Sequence, residues 1–166
     1  MTMNTKISYL YRDADNYKSF NECIIQGTLT DKQKKQILDA RHEGEWFIPG
    51  AVGLPEKRFY TWTEADHPWF ELWDDAFRET AQAATIDISG DKLTEAFLLC
   101  KGRWGVLEAE VMKEHPSGLQ QIVAGWKAEM DTLSGQKKPS VVDLIQNATS
   151  RSKEVEANPN LKTIGR

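Results

Sequence analysis

The sequence predicts an α+β fold: a small antiparallel sheet with flanking helices, followed by a helical C-terminal extension. Two observations carry that expectation. Short apolar and aromatic runs bounded by turn residues crowd the first 90 positions. From Leu93 onward the apolar residues recur at helical spacing instead. With 166 residues the chain suits one domain, or one domain with an appendage, and is long enough for a core without staples. The expected division is an α+β domain over 1–103, a helical extension over 104–157 and a flexible tail over 158–166.

Taken in order, "KISYLY" (6–11) reads as a strand. "RDADNYKSFN" reads as a loop from its Asp, Asn and Ser content, and "ECIIQGTL" (22–29) as a second strand antiparallel to the first. Thr30 and Gln33 form a capping box that opens a short, charged surface helix ending at Gly44. "EWFIPGAVGLPE" (45–56) is an irregular, partly buried loop with a short strand at "EWFI", and "RFYTW" (58–62) reads as a strand. The next stretch, "HPWFELWDDAF" (67–77), supports two readings. Its spacing gives a helix starting at Pro68, whereas its aromatic content gives "WFELW" and "AFRET" as a strand pair around a "DD" turn. "ATIDIS" (84–89) reads as a strand whose Ser89 caps a helix through Leu93, Ala96, Phe97, Cys100 and Trp104. Gly102 and Gly105 weaken its end, and Val106, Leu107, Val111 and Met112 continue the stripe. Residues 119–133 form another amphipathic helix, and after the linker 134–140 Ser140 caps a last one.

Charge narrows the function classes. The net charge of -4 argues against a whole-protein nucleic-acid binder. Residues 64–79 carry Glu64, Asp66, Glu71, Asp74, Asp75 and Glu79 against Arg78, whereas residues 133–166 carry an excess of three positive charges. This asymmetry predicts an acidic face for a basic partner and a mildly basic tail. In that tail, Lys137, Lys138, Arg151 and Lys153 are the candidates for contact with nucleic acid. Neither a leader-like apolar segment nor an 18-residue apolar run is present, so the expected location is cytoplasmic, without membrane contact. Cys23 and Cys100, each in an apolar run, are expected to be buried thiols.

Several motifs fail on inspection. "DADN" (13–16) starts like a calcium loop but lacks its glycine and distal Glu, and "GAVGLP" (50–55) lacks the Lys-Ser/Thr ending of a phosphate loop. No metal or cofactor is therefore expected. His67, flanked by Asp66 and near Glu71, is the best enzymic candidate, since a histidine beside carboxylates suits a base or a metal ligand. The six tryptophans say more. Tryptophan is enriched at binding hot spots, and acidic neighbours around an exposed pair would keep it soluble and attract a basic partner. Trp69, Trp73, Glu71, Asp74, Asp75 and Trp62 are the expected contact residues.

The segments "KISYLYRDADNYK" (6–18) and "EWFIPGAVGLPEKRFYTWTEADHPWFEL" (45–72) resemble an uncharacterised family of small bacterial proteins, often carried on phage or plasmid genomes. The resemblance covers about residues 6–104, and the helices after Gly105 depart from it. No activity or site is established for that family, so it implies no functional residue. It does imply an accessory role, such as blocking a host or defence factor.

Together these readings favour a non-enzymatic binding protein covering a protein with a basic surface. The alternatives are a small metal-dependent hydrolase or nuclease at Asp66, His67 and Glu71, and a nucleic-acid accessory factor using the basic tail. Leu119, Ile122, Val123 and Trp126 form an apolar stripe that, if left uncovered, would promote a homo-oligomer through the C-terminal helices.

Overall fold

Strand β1 (Asn4–Arg12) organises the sheet. In the computed structural model, which describes residues 2–59, 61–113 and 118–135, its odd-numbered residues from Thr5 to Tyr11 are all buried. That alternation is the mark of a strand with one face on a core. Strand β2 (Lys18–Ile25) runs antiparallel to β1, with Thr5 opposite Ile25 and Arg12 opposite Lys18. The loop between them is thus shorter than its composition suggests, because Lys18, Ser19, Phe20 and Asn21 belong to the strand, which ends at Ile25 rather than Leu29.

Helix α1 (Asp31–Asp39) opens with the expected capping box: the Gln33 N–H donates to Thr30 Oγ1 at 3.0 Å, and the Thr30 N–H donates to Gln33 Oε1 at 2.9 Å. It stops at Ala40, four residues before Gly44. Strand β3 (Trp46–Phe47) and a 3-10 turn over Pro49–Ala51 follow. Among the described residues of 58–62 the expected strand does not form. Arg58 and Phe59 lie in irregular chain, where Arg58 is held through its side chain by Glu56 at 2.5 Å and the Pro68 carbonyl at 2.9 Å.

The 67–80 region resolves as strand rather than helix. Strands β4 (Phe70–Glu71) and β5 (Phe77–Thr80) both pair antiparallel with β1. They are not partners of each other, as a hairpin would require. Thr5 faces Glu79 and Leu10 faces Glu71, so five steps along β1 are matched by eight along the other strand. The surplus residues loop out of the ladder in a large bulge. A turn in which the Ala76 N–H donates to the Trp73 carbonyl at 3.2 Å closes it, with Asp74 and Asp75 at the corner. Pairing resumes at once, since the Ser8 N–H donates to the Ala76 carbonyl at 3.0 Å. The full sheet is antiparallel in the order β2-β1-β4-β3, with β5 on the same side of β1 as β4.

Residues 84–89 are not a strand. They cross the outer edge of β2 in bends, with the Thr85 N–H on the Ile24 carbonyl, the Ile24 N–H on Thr85 Oγ1 and the Gln26 N–H on the Ile88 carbonyl, each at 2.8 Å. An edge whose backbone groups are occupied in this way offers no template to another strand. Ser89 then caps helix α2 (Gly90–Cys100), accepting from the Lys92 N–H at 3.2 Å. Gly90 has to be glycine-small: a Cβ there would stand 2.9 Å from Leu29 Cδ2 and 3.2 Å from the Thr28 carbonyl oxygen. The helix ends at Cys100, since Gly102 adopts φ +77°, and the chain restarts as helix α3 (Trp104–Val111). Helix α4 (Leu119–Gly135) completes the described chain.

The protein is α+β, with the helices on one face of an open sheet. Ile7, Tyr9 and Tyr11 share a core with Ile37, Phe97, Trp104, Leu107 and Val123, drawn from all four helices. Leu119, Ile122 and Trp126 are partly buried and pack against the same core. Contacts divide the chain into Met1–Lys127 and Ala128–Arg166. The last expected helix and the basic positions Lys137, Lys138, Arg151 and Lys153 lie outside the described residues. Among the described residues no helix is long and apolar enough to cross a membrane.

Candidate functional site

The face of the sheet turned away from the helices is where the predicted contact residues begin to gather. Directly paired residues in antiparallel strands point to the same face. Phe20 pairs with Leu10, Leu10 with Glu71, and Glu71 with Trp46, which makes a row across β2, β1, β4 and β3. Phe20 is 72% exposed at one end of the row. Glu71 is buried in its middle, held by Arg12 Nε at 2.9 Å and by Trp73 Nε1 at 3.3 Å. That second bond fixes the Trp73 indole at the foot of the bulge while leaving it 43% exposed.

Around Trp73 stand exposed carboxylates. Asp74 and Asp75 occupy the corner of the turn, and Glu45 lies on the segment that runs beside it, where the Leu72 N–H donates to the Glu45 carbonyl at 3.1 Å. Arg41 braces the bulge from behind, donating to the Leu72 carbonyl at 2.5 Å and to Asp74 Oδ1 at 3.1 Å. Asp74 nevertheless remains 84% exposed, so water screens that pair and its carboxylate still contributes to the local field. Chemically the bulge presents an exposed indole with an acidic rim.

Two of the six predicted contact residues lie elsewhere. Trp69 turns inward: it stacks on His42 with ring centres 4.6 Å apart, meets Trp104 edge-on and donates from Nε1 to Glu108 at 2.9 Å. Trp62 lies over the Arg58 guanidinium, 5.6 Å away, apart from the bulge. Sequence reasoning missed Phe20, Arg12, Arg41 and Trp46. Their roles depend on which strands pair and in what register, and no local signal records that.

The proposed catalytic group is dispersed by its bonds. Asp66 and His67 meet at Tyr11, whose hydroxyl donates to Asp66 Oδ1 and accepts from the His67 N–H at 3.3 Å. His67 Nδ1 accepts from the Trp69 N–H at 3.1 Å, which leaves Nε2 to donate to the Arg12 carbonyl at 2.7 Å. Both ring nitrogens are thus engaged with backbone, and neither offers a lone pair to a substrate or a metal. Glu71 is turned to Arg12 instead. Among the described residues no three His, Cys, Asp or Glu side chains come together as a metal site.

Both thiols are buried. Burial pushes Cys23 up to about 11, against a smaller downward pull from Tyr9, and Cys100 up to about 12. Since the thiolate is the reactive form, neither is poised as a nucleophile. Iodoacetamide at pH 7.5 should therefore leave both unmodified in the native protein and alkylate both in denaturant, read by intact mass. Rapid native labelling of either would contradict this burial.

The fold and this surface define an α+β protein with an open antiparallel sheet, helices on one face and an aromatic, acid-rimmed bulge beside the other. Comparison of the chain with protein-family models, with curated proteins and with solved structures gives no match.

Proposed function

We propose that this protein is a non-enzymatic binding module that covers a basic surface on a protein partner. The observation that carries this reading is the Trp73–Ala76 turn, which lifts an exposed indole and two exposed carboxylates out of a strand whose pairing continues on both sides. An aromatic anchor beside a charged rim suits protein recognition: the ring supplies contact area at little entropic cost, and the carboxylates steer a cationic partner. In keeping with the resemblance noted in the sequence, the module acts as an accessory or inhibitory factor that masks its target.

The test starts from affinity capture in a nuclease-treated lysate of the native host, followed by binding measurements with the recovered partner. Trp73→Ala is expected to weaken that binding about 30-fold or more, as for a hot-spot aromatic. Asp74→Lys with Asp75→Lys should slow association and reduce its dependence on salt. A partner bound equally well by all these variants, each with unaltered near-UV dichroism, would remove the bulge from the interface and this reading with it.

A further inference from the structure

A hollow of about 310 Å³ lies between the β1–β2 turn and the segment around Phe59 and Asp66, away from the Trp73 bulge. We propose that it binds an organic ammonium group.

Two rings wall the hollow. Tyr17, 68% exposed, and Phe59, 40% exposed, stand with centres 6.5 Å apart and planes at 85°, so they present two perpendicular surfaces. An edge-to-face pair covers one face of one ring, and the faces it leaves open offer a cation their negative π-density. The remaining lining is acidic or hydroxylic, with Asp13, Asp15, Asp66 and Thr63 and no Lys or Arg among its described residues.

The walls are held in place. Asp13 Oδ1 accepts from the Asp15 and Tyr17 N–H groups, both at 2.9 Å, which locks the turn carrying Tyr17. The Ala14 N–H donates to the Ala65 carbonyl at 2.9 Å, joining that turn to the opposite wall. Phe59 rests edge-on against the buried Tyr11 ring at 5.6 Å. Arg58, the cation beside Phe59 in the chain, is paired with Glu56 at 2.5 Å, and Arg12, beside Asp13, is paired with Glu71 at 2.9 Å.

The ligand class follows from what the carboxylates do. Asp66 has both oxygens engaged, by Tyr11 and by Thr63, and Asp13 gives one oxygen to its turn. Among the described residues Asp15 has no side-chain partner. These groups do not converge as the shell of an inorganic cation would, whereas an alkylated ammonium spreads its charge over its carbon substituents and meets ring faces and scattered carboxylates together.

The full chain is titrated with choline, with its neutral isostere 3,3-dimethylbutan-1-ol, and with a short peptide carrying one trimethyl-lysine. Binding is followed by the ring-proton shifts of Tyr17 and Phe59. Saturable shifts with choline and about tenfold weaker binding of the isostere are expected, both lost in Tyr17→Ala and Asp15→Asn. Both positions are exposed, so these variants are expected to fold. Tighter binding of the peptide than of choline would assign the ammonium to a protein side chain, and the reverse to a small molecule. Equal binding of choline and its isostere, or no saturable shift with any probe, overturns the proposal. The outcome does not depend on the Trp73 bulge.

Discussion

Trp104→Ala is expected to destabilise the protein by about 3–5 kcal/mol, the usual cost of deleting a fully buried aromatic, and to lower its melting temperature by about 10 °C. Trp104 is 1% exposed and lies edge-on to Phe97, with ring centres 6.0 Å apart. Its Nε1–H donates at 2.7 Å to the carbonyl of Ala40, the C-terminal cap of α1. The carbonyls of a last helical turn have no partner within their own helix, so this bond serves the end of α1 as much as the indole. Trp104→Phe should keep most of the packing but leave the buried Ala40 carbonyl unpaired, at about 1–3 kcal/mol. Urea unfolding followed by circular dichroism separates the two losses. A Trp104→Phe variant as unstable as Trp104→Ala would mean that the hydrogen bond outweighs the packing.

Asp66→Ala is expected to cost about 2–3 kcal/mol at neutral pH, because it strips acceptors from the Tyr11 hydroxyl and from the Thr63 N–H at once. Burial alone would raise the Asp66 carboxyl, but the hydrogen bonds from Tyr11 and Thr63, with Arg58 nearby, outweigh it and hold the group below the usual carboxylate value. The sign of the pH dependence follows. A carboxyl whose folded pKa lies below its unfolded value of about 3.9 adds its full stability above that value, and loses it as pH falls through the folded pKa. The gap between wild type and Asp66→Ala should therefore be constant above about pH 5 and narrow as the pH drops below about 4. A gap that widens in acid would show that Asp66 is held protonated in the folded state.

Where the sequence carried local chemistry, the fold was legible. The capping box at Thr30 and Gln33 and the Ser89 cap mark helix starts because their hydrogen bonds close within three residues. The alternation in β1 works the same way, since one strand face is enough to reveal it. Legibility ended where partners are distant. "RFYTW" has strand-forming residues but spends Arg58 on contacts to Glu56 and Pro68. "ATIDIS" reaches the edge of β2 partly through the Thr85 hydroxyl, which no propensity scale registers. At 67–80 the helical period came from a coincidence of spacing, while the aromatic content pointed the right way. The surplus residues of the bulge appear only when both halves are laid against β1.

The candidate site was legible to a similar degree. Composition marked Trp73, Asp74 and Asp75, and these share the bulge. It also grouped Trp69 with Trp73, yet the inward packing of Trp69 depends on His42, in the turn after α1, and on Trp104 of α3, both remote in sequence. The Asp66–His67 pair looked catalytic because the two are adjacent. Tyr11, 55 residues away, takes them both.

The bulge has a further consequence for how this chain can diverge. The register on either side of it is anchored independently, by four pairs between β5 and β1 and by two between β4 and β1. Residues inserted or deleted at the Asp74–Asp75 corner would alter the length of the excursion without shifting either anchor, so no side chain would trade faces. Most strands punish a change of length by turning themselves inside out. This one has a place where length can change without cost to register, and that place coincides with the surface proposed to meet a partner.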